Sequence, residues 1–175
     1  QDVTKTQPMK FAAMEGLNEG GRGAAFTVIG LPVNDPSLPT DRMKKMEYAI
    51  HVPKVLSFLG YHDFDAYIPG IQNILDGYTS QSGVTYPSLE QRMANGRTAI
   101  DALKTYKQAI KENNRTMADS TLQIFKANYS DFGYGYLNSP YDAIPHIPLV
   151  FFSFRIMVGL GMLFVLLFAL SLWYA

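Results

Sequence analysis

The feature that most constrains this chain is a long uncharged run in its last part. Residues 156–175 contain no Asp, Glu, Lys or Arg, so all charged side chains, 15 basic and 15 acidic, lie in the first 155 positions. About 20 consecutive apolar residues are enough for an α-helix to cross the ~30 Å hydrocarbon core of a bilayer. The sequence therefore predicts a polar module followed by a membrane-spanning helix, and it excludes a wholly soluble globular domain.

The apolar segment is longer than a bilayer requires. From Leu149 to Ala175 the only charged residue is Arg155. At a rise of about 1.5 Å per residue this segment would form roughly 40 Å of helix, against a hydrocarbon core of about 30 Å. Arg155 can therefore lie near the interface on the polar side, while Trp173 and Tyr174 anchor the far interface.

These lengths give a domain prediction, with an extramembrane domain at 1–147 and a transmembrane helix at 148–175. The chain begins at Gln1 without the basic and apolar pattern of a signal peptide, and no Lys or Arg follows the apolar run. A stop-transfer helix normally has a basic flank on its cytoplasmic side. We therefore expect an internal piece of a longer polytopic protein.

Charge balance and cysteine content exclude further classes. The formal net charge is zero, whereas nucleic-acid binding requires a basic surface, so no nucleic-acid partner is expected. The chain has no Cys, which excludes disulfides, thiolate metal sites and a cysteine nucleophile.

The polar part contains patterns of both helix and strand. A proline at position 8 and a glycine at position 16 bound a short helix. Residues 26–30 and the alternating residues 48–52 suit two paired strands. The clearest helix covers residues 86–111, with a capping box at its start, and a second helix is predicted over about residues 117–129.

Within residues 86–111 an apolar stripe with helical spacing is formed by Leu89, Met93, Ile100, Leu103 and Ile110. The predicted fold class is thus a mainly α membrane-protein segment. A small mixed or mainly helical extramembrane domain would precede one transmembrane helix of a polytopic bundle.

Four residues are candidates for chemistry. An ionisable residue in a span, here Arg155, is a functional hypothesis by default, although an arginine snorkelling to lipid headgroups explains it equally well. Lys10 and Glu15 could converge on one ligand, or they could be ordinary solvated charges. The thioether of Met157 is a soft ligand that suits haem iron, but a methionine in a span usually packs.

The surroundings of Met157 leave both interpretations open. Ser153 and Gly161 lie four residues before and after it on the same helix face, which leaves room for a flat macrocycle. The same small residues also suit close helix–helix packing. The three histidines have no metal-ligand spacing, and no hydrolase motif occurs.

Several segments carry a resemblance to a known family, and they follow one another in the family's order. They are residues 7–16 (QPMKFAAMEG), 50–53 (IHVP), 92–96 (RMANG), 131–135 (DFGYG) and 152–158 (FSFRIMV). The first segment resembles the start of the quinol-binding loop in subunit I of cytochrome bd-type quinol oxidases. The last, where the likeness is strongest, resembles the family's helix after that loop.

The resemblance implies roles for the four candidates. Lys10 and Glu15 match the family's quinol-site Lys and Glu, with Glu15 accepting a quinol proton and Lys10 polarising the quinone oxygen. Met157 matches the axial ligand of the low-spin haem b, which accepts the quinol's electrons. Arg155 matches the Arg beside that haem and is expected to support quinol oxidation.

The resemblance also implies a setting. The polar loop would be a long-loop form on the periplasmic side of a bacterial inner membrane, with the span running toward the cytoplasm. The expected partners are quinol, the lipid bilayer, the rest of subunit I and subunit II. The second axial ligand of the low-spin haem b, the second haem b and haem d belong to other parts of the subunit, because none of His51, His62 and His146 matches their ligands.

The function implied is therefore part of a terminal oxidase that oxidises quinol and reduces oxygen to water, and that is catalytically incomplete without the remaining spans. A single-span membrane-anchored sensor or binding module is the alternative, since it too combines a polar domain with one helix. A protein-interaction role of the loop toward a partner subunit stays open as a secondary task.

Overall fold

A computed structural model describes residues 2–174, whose packing divides them into two units. The first unit comprises the residues up to Ile71 together with those from Ile144 onward, and the second comprises residues 72–143. The second unit thus lies within the polar part of the sequence, between two segments of the first. The predicted boundary between 147 and 148 is a membrane boundary, and it stays a prediction.

The first unit combines short helices, two small antiparallel sheets and one long helix. Its elements are α1 (Asp2–Thr6), α2 (Pro8–Glu15), β1 (Gly21–Arg22), β2 (Phe26–Val33), β3 (Lys45–Val52), α3 (Val55–Tyr61), β4 (Tyr67–Ile68) and α7 (Ile147–Tyr174). The second unit holds β5 (Tyr78–Thr79), β6 (Thr85–Tyr86), α5 (Leu89–Lys111), α6 (Arg115–Asn128) and 3₁₀ segments at Tyr129–Tyr136 and Pro140–Ala143. Helix α4 (Ile71–Asp76) begins at the last residue of the first segment. The fold is mainly helical, as predicted.

Helix α2 begins and ends where the sequence predicts. Pro8 occupies its first turn, where a missing N–H costs no hydrogen bond. Gly16 ends the helix in the left-handed conformation (φ 64°), and its N–H bonds back into the last turn. A Cβ at position 16 would also lie 2.9 Å from Cγ of Met46. Both the left-handed backbone and the approach of Met46 therefore favour glycine at this position.

The hairpin predicted around residues 26–52 is present. Strands β2 and β3 pair antiparallel, with Phe26 opposite Val52 and Thr27 opposite His51. The register shifts twice between Thr27 and Leu31, which is the mark of β-bulges. The pairing places Thr27 and His51 side by side at the end of the hairpin nearest α2 in sequence.

A buried serine joins the neighbouring segments of the first unit. Ser57 in α3 is fully buried, and its hydroxyl accepts from the backbone N–H of Ala24 at 2.8 Å while donating to the carbonyl of Ala66 at 2.7 Å. Leu56 and Ile68 pack beside it in the apolar cluster of this unit. Both bonds satisfy backbone groups that would otherwise be buried without a partner.

In the second unit, helices α5 and α6 have side-chain caps. Ser88 accepts from the N–H of Gln91 at 3.4 Å, and Asn114 accepts from the N–H of Met117 at 3.1 Å. Such caps satisfy donors that a helix start leaves unpaired. The capping serine begins α5 at Leu89, three residues later than the predicted start.

The buried face of α5 differs in part from the predicted stripe. Leu89 and Met93 are buried as expected, but Ile110 is 52% exposed. The other buried positions of the helix are small residues, namely Gly96, Ala99, Ala102 and Ala109. Small residues let the backbone of the 3₁₀ segment Tyr129–Tyr136 approach α5 closely. The predicted stripe of large apolar residues did not indicate this close approach.

An ion pair holds that 3₁₀ segment against α5. The Nε of Arg92 donates to Oδ1 of Asp131 at 2.9 Å, and the amide of Asn95 donates to Oδ2 at 3.0 Å. The Arg92 guanidinium also lies over the ring of Tyr134, 4.1 Å from its centroid. These contacts explain the RMANG and DFGYG segments as two halves of one structural clamp.

Helix α7 is the candidate membrane span. The apolar segment Pro140–Tyr174 is long enough to cross a bilayer, and its most apolar 18-residue window has a mean hydropathy of 2.5. Only Ile147 and Phe151 of α7 are buried, while the side chains after Arg155 are exposed. The first two turns of α7 therefore pack against other segments of the first unit, and the remainder presents an apolar surface all round.

Candidate functional site

The structure brings Arg155 of α7 onto the end of helix α2. Its Nη2 lies 3.1 Å from Oε2 of Glu15, and its Nη1 donates to the carbonyl of Met14 at 2.5 Å. The same Nη2 also donates to the carbonyl of Thr27. One guanidinium therefore ties together three segments of the unit, namely α7, α2 and β2.

Aromatic rings complete the surroundings of this guanidinium. The Cζ of Arg155 lies 3.5 Å from the ring centroid of Phe151, one turn earlier in α7. The rings of Phe26 and Phe154 lie within 6 Å of it, at 5.7 and 5.9 Å. The faces of aromatic rings attract cations, and they also keep water away. The Arg155 side chain is accordingly only 13% exposed, so it does not snorkel toward lipid headgroups in this structure.

The carboxyl group of Glu15 is almost completely enclosed. Its side chain is 2% exposed, and the backbone N–H of Thr27 donates to it in addition to Arg155. Burial raises the pKa of Glu15 above its ordinary value of 4.5, and the charge of Arg155 together with these hydrogen bonds opposes part of that rise. A carboxyl group with a raised pKa is suited to accept and return a proton near neutral pH.

A cavity of about 420 Å³ opens beside Glu15. It is lined by Glu15, Gly16, Leu17, Asn18, Ala25, Thr27, Met46 and His51. Its apolar wall comes from Leu17 and Met46, while its ionisable side chains are Glu15 and His51. A mostly apolar cavity with a few convergent polar groups is the usual form of a small-molecule site.

Two residues of this site were missed by sequence reasoning. The hydroxyl of Thr27 lies 3.2 Å from Nδ1 of His51, and Thr27 itself is buried. His51 belongs to the IHVP segment. The sequence predicted no function for it, because the histidines of the chain lack the spacing of metal ligands. The signal that could have found both residues is the hairpin register, because it places position 51 opposite position 27.

Lys10 lies apart from this contact. It belongs to the same helix as Glu15, but its side chain is exposed and does not line the cavity. Within residues 2–174 it has no hydrogen bond or ion pair. The structure therefore brings Glu15 and Arg155 together and does not bring Lys10 to them, so the convergence of Lys10 and Glu15 on one ligand stays a prediction.

Met157 is accessible on the surface of α7. It is 62% exposed, and a Cβ added at Gly161 would meet nothing within 4 Å. Two residues before it, the Nε of Arg155 is a buried donor that finds no acceptor in the part of the chain that the structure describes. An exposed thioether, open space at Gly161 and a buried donor without an acceptor fit a haem with carboxylate side chains.

That fit concerns one axial ligand only. Within residues 2–174 no group of three or more His, Asp or Glu side chains is placed to hold a metal ion.

Comparison with known proteins identifies relatives of the chain. The family model described as cytochrome bd terminal oxidase subunit I matches residues 1–175. The chain is 32% identical over 189 aligned positions to the cytochrome bd-II ubiquinol oxidase subunit 1 of Escherichia coli (strain K12). The alignment covers 98% of this chain and 32% of that relative, so the chain spans about a third of the relative's length.

Proposed function

The chain belongs to the cytochrome bd terminal oxidase subunit I family, and we propose that it supplies the quinol-oxidising end of a membrane terminal oxidase. The complete enzyme would oxidise quinol and reduce oxygen to water. This segment alone would be catalytically incomplete. The second haem b and haem d would be held by the remainder of subunit I, with subunit II as partner.

The observation that carries this proposal is the contact between Glu15 and Arg155. A buried carboxyl group with a raised pKa lies beside a cavity, and a fixed cation holds it in place. Quinol oxidation requires a group that removes the hydroxyl proton, and a carboxylate at hydrogen-bond distance is suited to this task. Glu15 would accept the proton, and Arg155 would keep the carboxylate available at neutral pH.

The cavity suits a quinol headgroup in size and lining. Its volume of about 420 Å³ accommodates one substituted six-membered ring. Leu17 and Met46 offer apolar surface to the ring, and Glu15 offers an acceptor to one hydroxyl. Lys10, exposed on the same helix, would hydrogen-bond the quinone oxygen from outside this enclosed contact.

Met157 is proposed to hold the low-spin haem b as an axial ligand. When bound, that haem supplies a one-electron acceptor for the quinol's electrons. Arg155 would contribute positive charge two residues from the ligand, and its Nε would donate to a haem propionate. The aromatic rings around Arg155 would keep water from this region.

The proposed setting follows from the span. Helix α7 would cross a bacterial inner membrane, with the polar part on the periplasmic side, so that protons released from quinol add to the transmembrane gradient. The family match over the whole chain favours this function over a single-span sensor or binding module. An absorption spectrum of the purified native protein distinguishes them, since an oxidase shows haem bands and a sensor is colourless.

The proposed site is tested in the intact oxidase by replacing Glu15 with Gln and Lys10 with Ala. Loss of a general base typically costs a factor of about 10² or more, so we expect kcat with quinol to fall by about that factor in Glu15→Gln. Lys10→Ala should weaken quinol turnover while leaving the haem content unchanged. The exposed Glu19 and Lys5 offer matched controls as Glu19→Gln and Lys5→Ala. Normal quinol kinetics in both site variants would reject the proposal.

A further inference from the structure

The enclosed position of Glu15 creates a requirement that the carboxyl group alone does not meet. With a side chain that is 2% exposed, Glu15 has almost no contact with bulk water. A proton accepted from a substrate must nevertheless leave before the next turnover. Some group must therefore connect this carboxyl to solvent.

The neighbours of Glu15 differ in their ability to carry a proton from its carboxyl group to solvent. Arg155 stays protonated and cannot accept a proton. The carbonyls of Met14 and Thr27 are already engaged by the guanidinium. The cavity is the remaining direction, and the ionisable side chains that line it are Glu15 and His51.

Thr27 lies between these two ionisable groups. Its backbone N–H donates to the Glu15 carboxylate, and its hydroxyl lies 3.2 Å from Nδ1 of His51. Thr27 is 4% exposed, whereas His51 is exposed to solvent. One buried residue thus touches the enclosed carboxyl on one side and an exposed imidazole on the other.

We infer that His51 is the proton-exit residue of this site: it takes the proton from Glu15 through the cavity and the Thr27 hydroxyl and releases it to water. The inference rests on the proposed function, since it assumes that Glu15 accepts a proton from quinol. His51 then acts through Glu15 and Thr27, as a positioning and relay residue, rather than by touching the reacting hydroxyl.

The step moves a proton and no electrons. Protonated Glu15 gives its proton to a cavity water, which passes a proton to the Thr27 hydroxyl, and the hydroxyl passes its own proton to the neutral Nδ1 of His51. The resulting imidazolium loses a proton to bulk water, which leaves Glu15 as a carboxylate and His51 neutral. Histidine suits this role because its imidazole can accept a proton at one ring nitrogen and release one from the ring to water.

The experiment uses the intact oxidase with His51→Ala. We expect kcat with quinol to fall about a hundredfold, the low end of the range for general acid–base groups, with KM little changed. Added imidazole should restore much of the lost kcat, because a free imidazole can enter the space that the side chain leaves. A purely structural role of His51 predicts no such restoration.

Two more variants keep the test decisive. His51→Gln retains a polar side chain opposite Thr27 but cannot be protonated, so it should also lower kcat, and Thr27→Val should do so by removing the hydroxyl alone. His62→Asn is the matched control, since His62 is exposed, lies outside the cavity and has a left-handed backbone that Asn tolerates. Normal kcat in His51→Gln overturns the inference, whether or not His51→Ala assembles.

The failure of this inference can be separated from the failure of the proposed function. If Glu15→Gln lowers kcat as expected while His51→Ala and His51→Gln keep a normal kcat, the proton leaves by another route and only the role of His51 falls. If Glu15→Gln itself turns over normally, Glu15 is not the proton acceptor of the proposed quinol site, and the relay through His51 falls with it.

Discussion

Arg155 and Glu15 are 140 positions apart in the sequence, yet their side chains form an ion pair with an N–O distance of 3.1 Å. Arg155 is the last charge before the uncharged run, and Glu15 is the last residue of helix α2. The point where the chain changes from polar to apolar is therefore fixed to the first unit by a specific buried contact. This contact makes the start of α7 part of the candidate site.

Removing the cation should change the acid strength of Glu15. Arg155 lowers the pKa of Glu15 against the stronger effect of burial, so Arg155→Leu should raise that pKa further. Difference infrared spectroscopy of the carboxyl C=O band over a pH series measures it, with Glu15→Gln identifying the band. Arg22→Leu is the control, because the ion pair of Arg22 with Asp65 is exposed and its N–O distance is 3.9 Å. A Glu15 band that titrates identically in Arg155→Leu would contradict the argument.

The raised pKa of Glu15 also makes the stability of the folded protein depend on pH. Because the pKa of Glu15 is raised in the folded protein, the folded state holds this proton more tightly than the unfolded chain does. The contribution of Glu15 to stability is therefore fully present below its ordinary pKa of 4.5 and is lost as the pH rises through the raised value. In Arg155→Leu the loss should extend to higher pH.

The haem-ligand prediction concerns Met157. Met157→Leu keeps a side chain of similar volume but removes the thioether, so the helix should persist while the axial ligand is lost. In the intact oxidase we expect the low-spin haem b signal to disappear from the reduced-minus-oxidised absorption spectrum. Met162→Leu is the matched control, since Met162 lies in the same helix and is 70% exposed. An unchanged spectrum in Met157→Leu would show that another residue supplies the ligand.

Local patterns predicted the longer helices and strands. Pro8 begins α2 because it lacks a backbone N–H, which the first turn of a helix does not need. Gly16 ends the helix because it adopts the left-handed conformation. The alternating residues 48–52 gave β3, and the uncharged run gave α7. In each case the information lies within a few neighbouring residues, so the sequence carries it directly.

Contacts between distant segments were harder to predict. Resemblance to a family singled out Glu15 and Arg155 separately, but neither spacing nor composition indicated that they pair. Thr27 and His51 became part of the site through a hairpin whose register shifts at two bulges. Long-range geometry of this kind depends on how whole elements pack, and side-chain chemistry alone does not specify it.

The buried face of α5 illustrates the same limit. The prediction from large apolar side chains placed Ile110 on the buried face of α5. In the structure Gly96 is buried and Ile110 is exposed. The reason lies in the partner, because the 3₁₀ segment packs its backbone directly on the helix. A Cβ at Gly135 would come within 2.5 Å of the carbonyl carbon of Gly96. Large residues cannot occupy such a contact.

Gly96→Ala tests that close approach. Its Cβ would lie 2.8 Å from the Cα of Gly135, and backbone cannot move aside as a flexible side chain can. Helix propensity alone predicts that Ala would stabilise α5 by about 1 kcal/mol. Overpacking typically costs about 1–3 kcal/mol, so we expect a net loss of stability.

Hydrogen exchange of the α5 amides in the intact protein shows whether the substitution raises or lowers the stability of this helix. Gly133→Ala is the control, since a Cβ there meets nothing within 4 Å. Slower exchange in Gly96→Ala would mean that the two backbones do not touch.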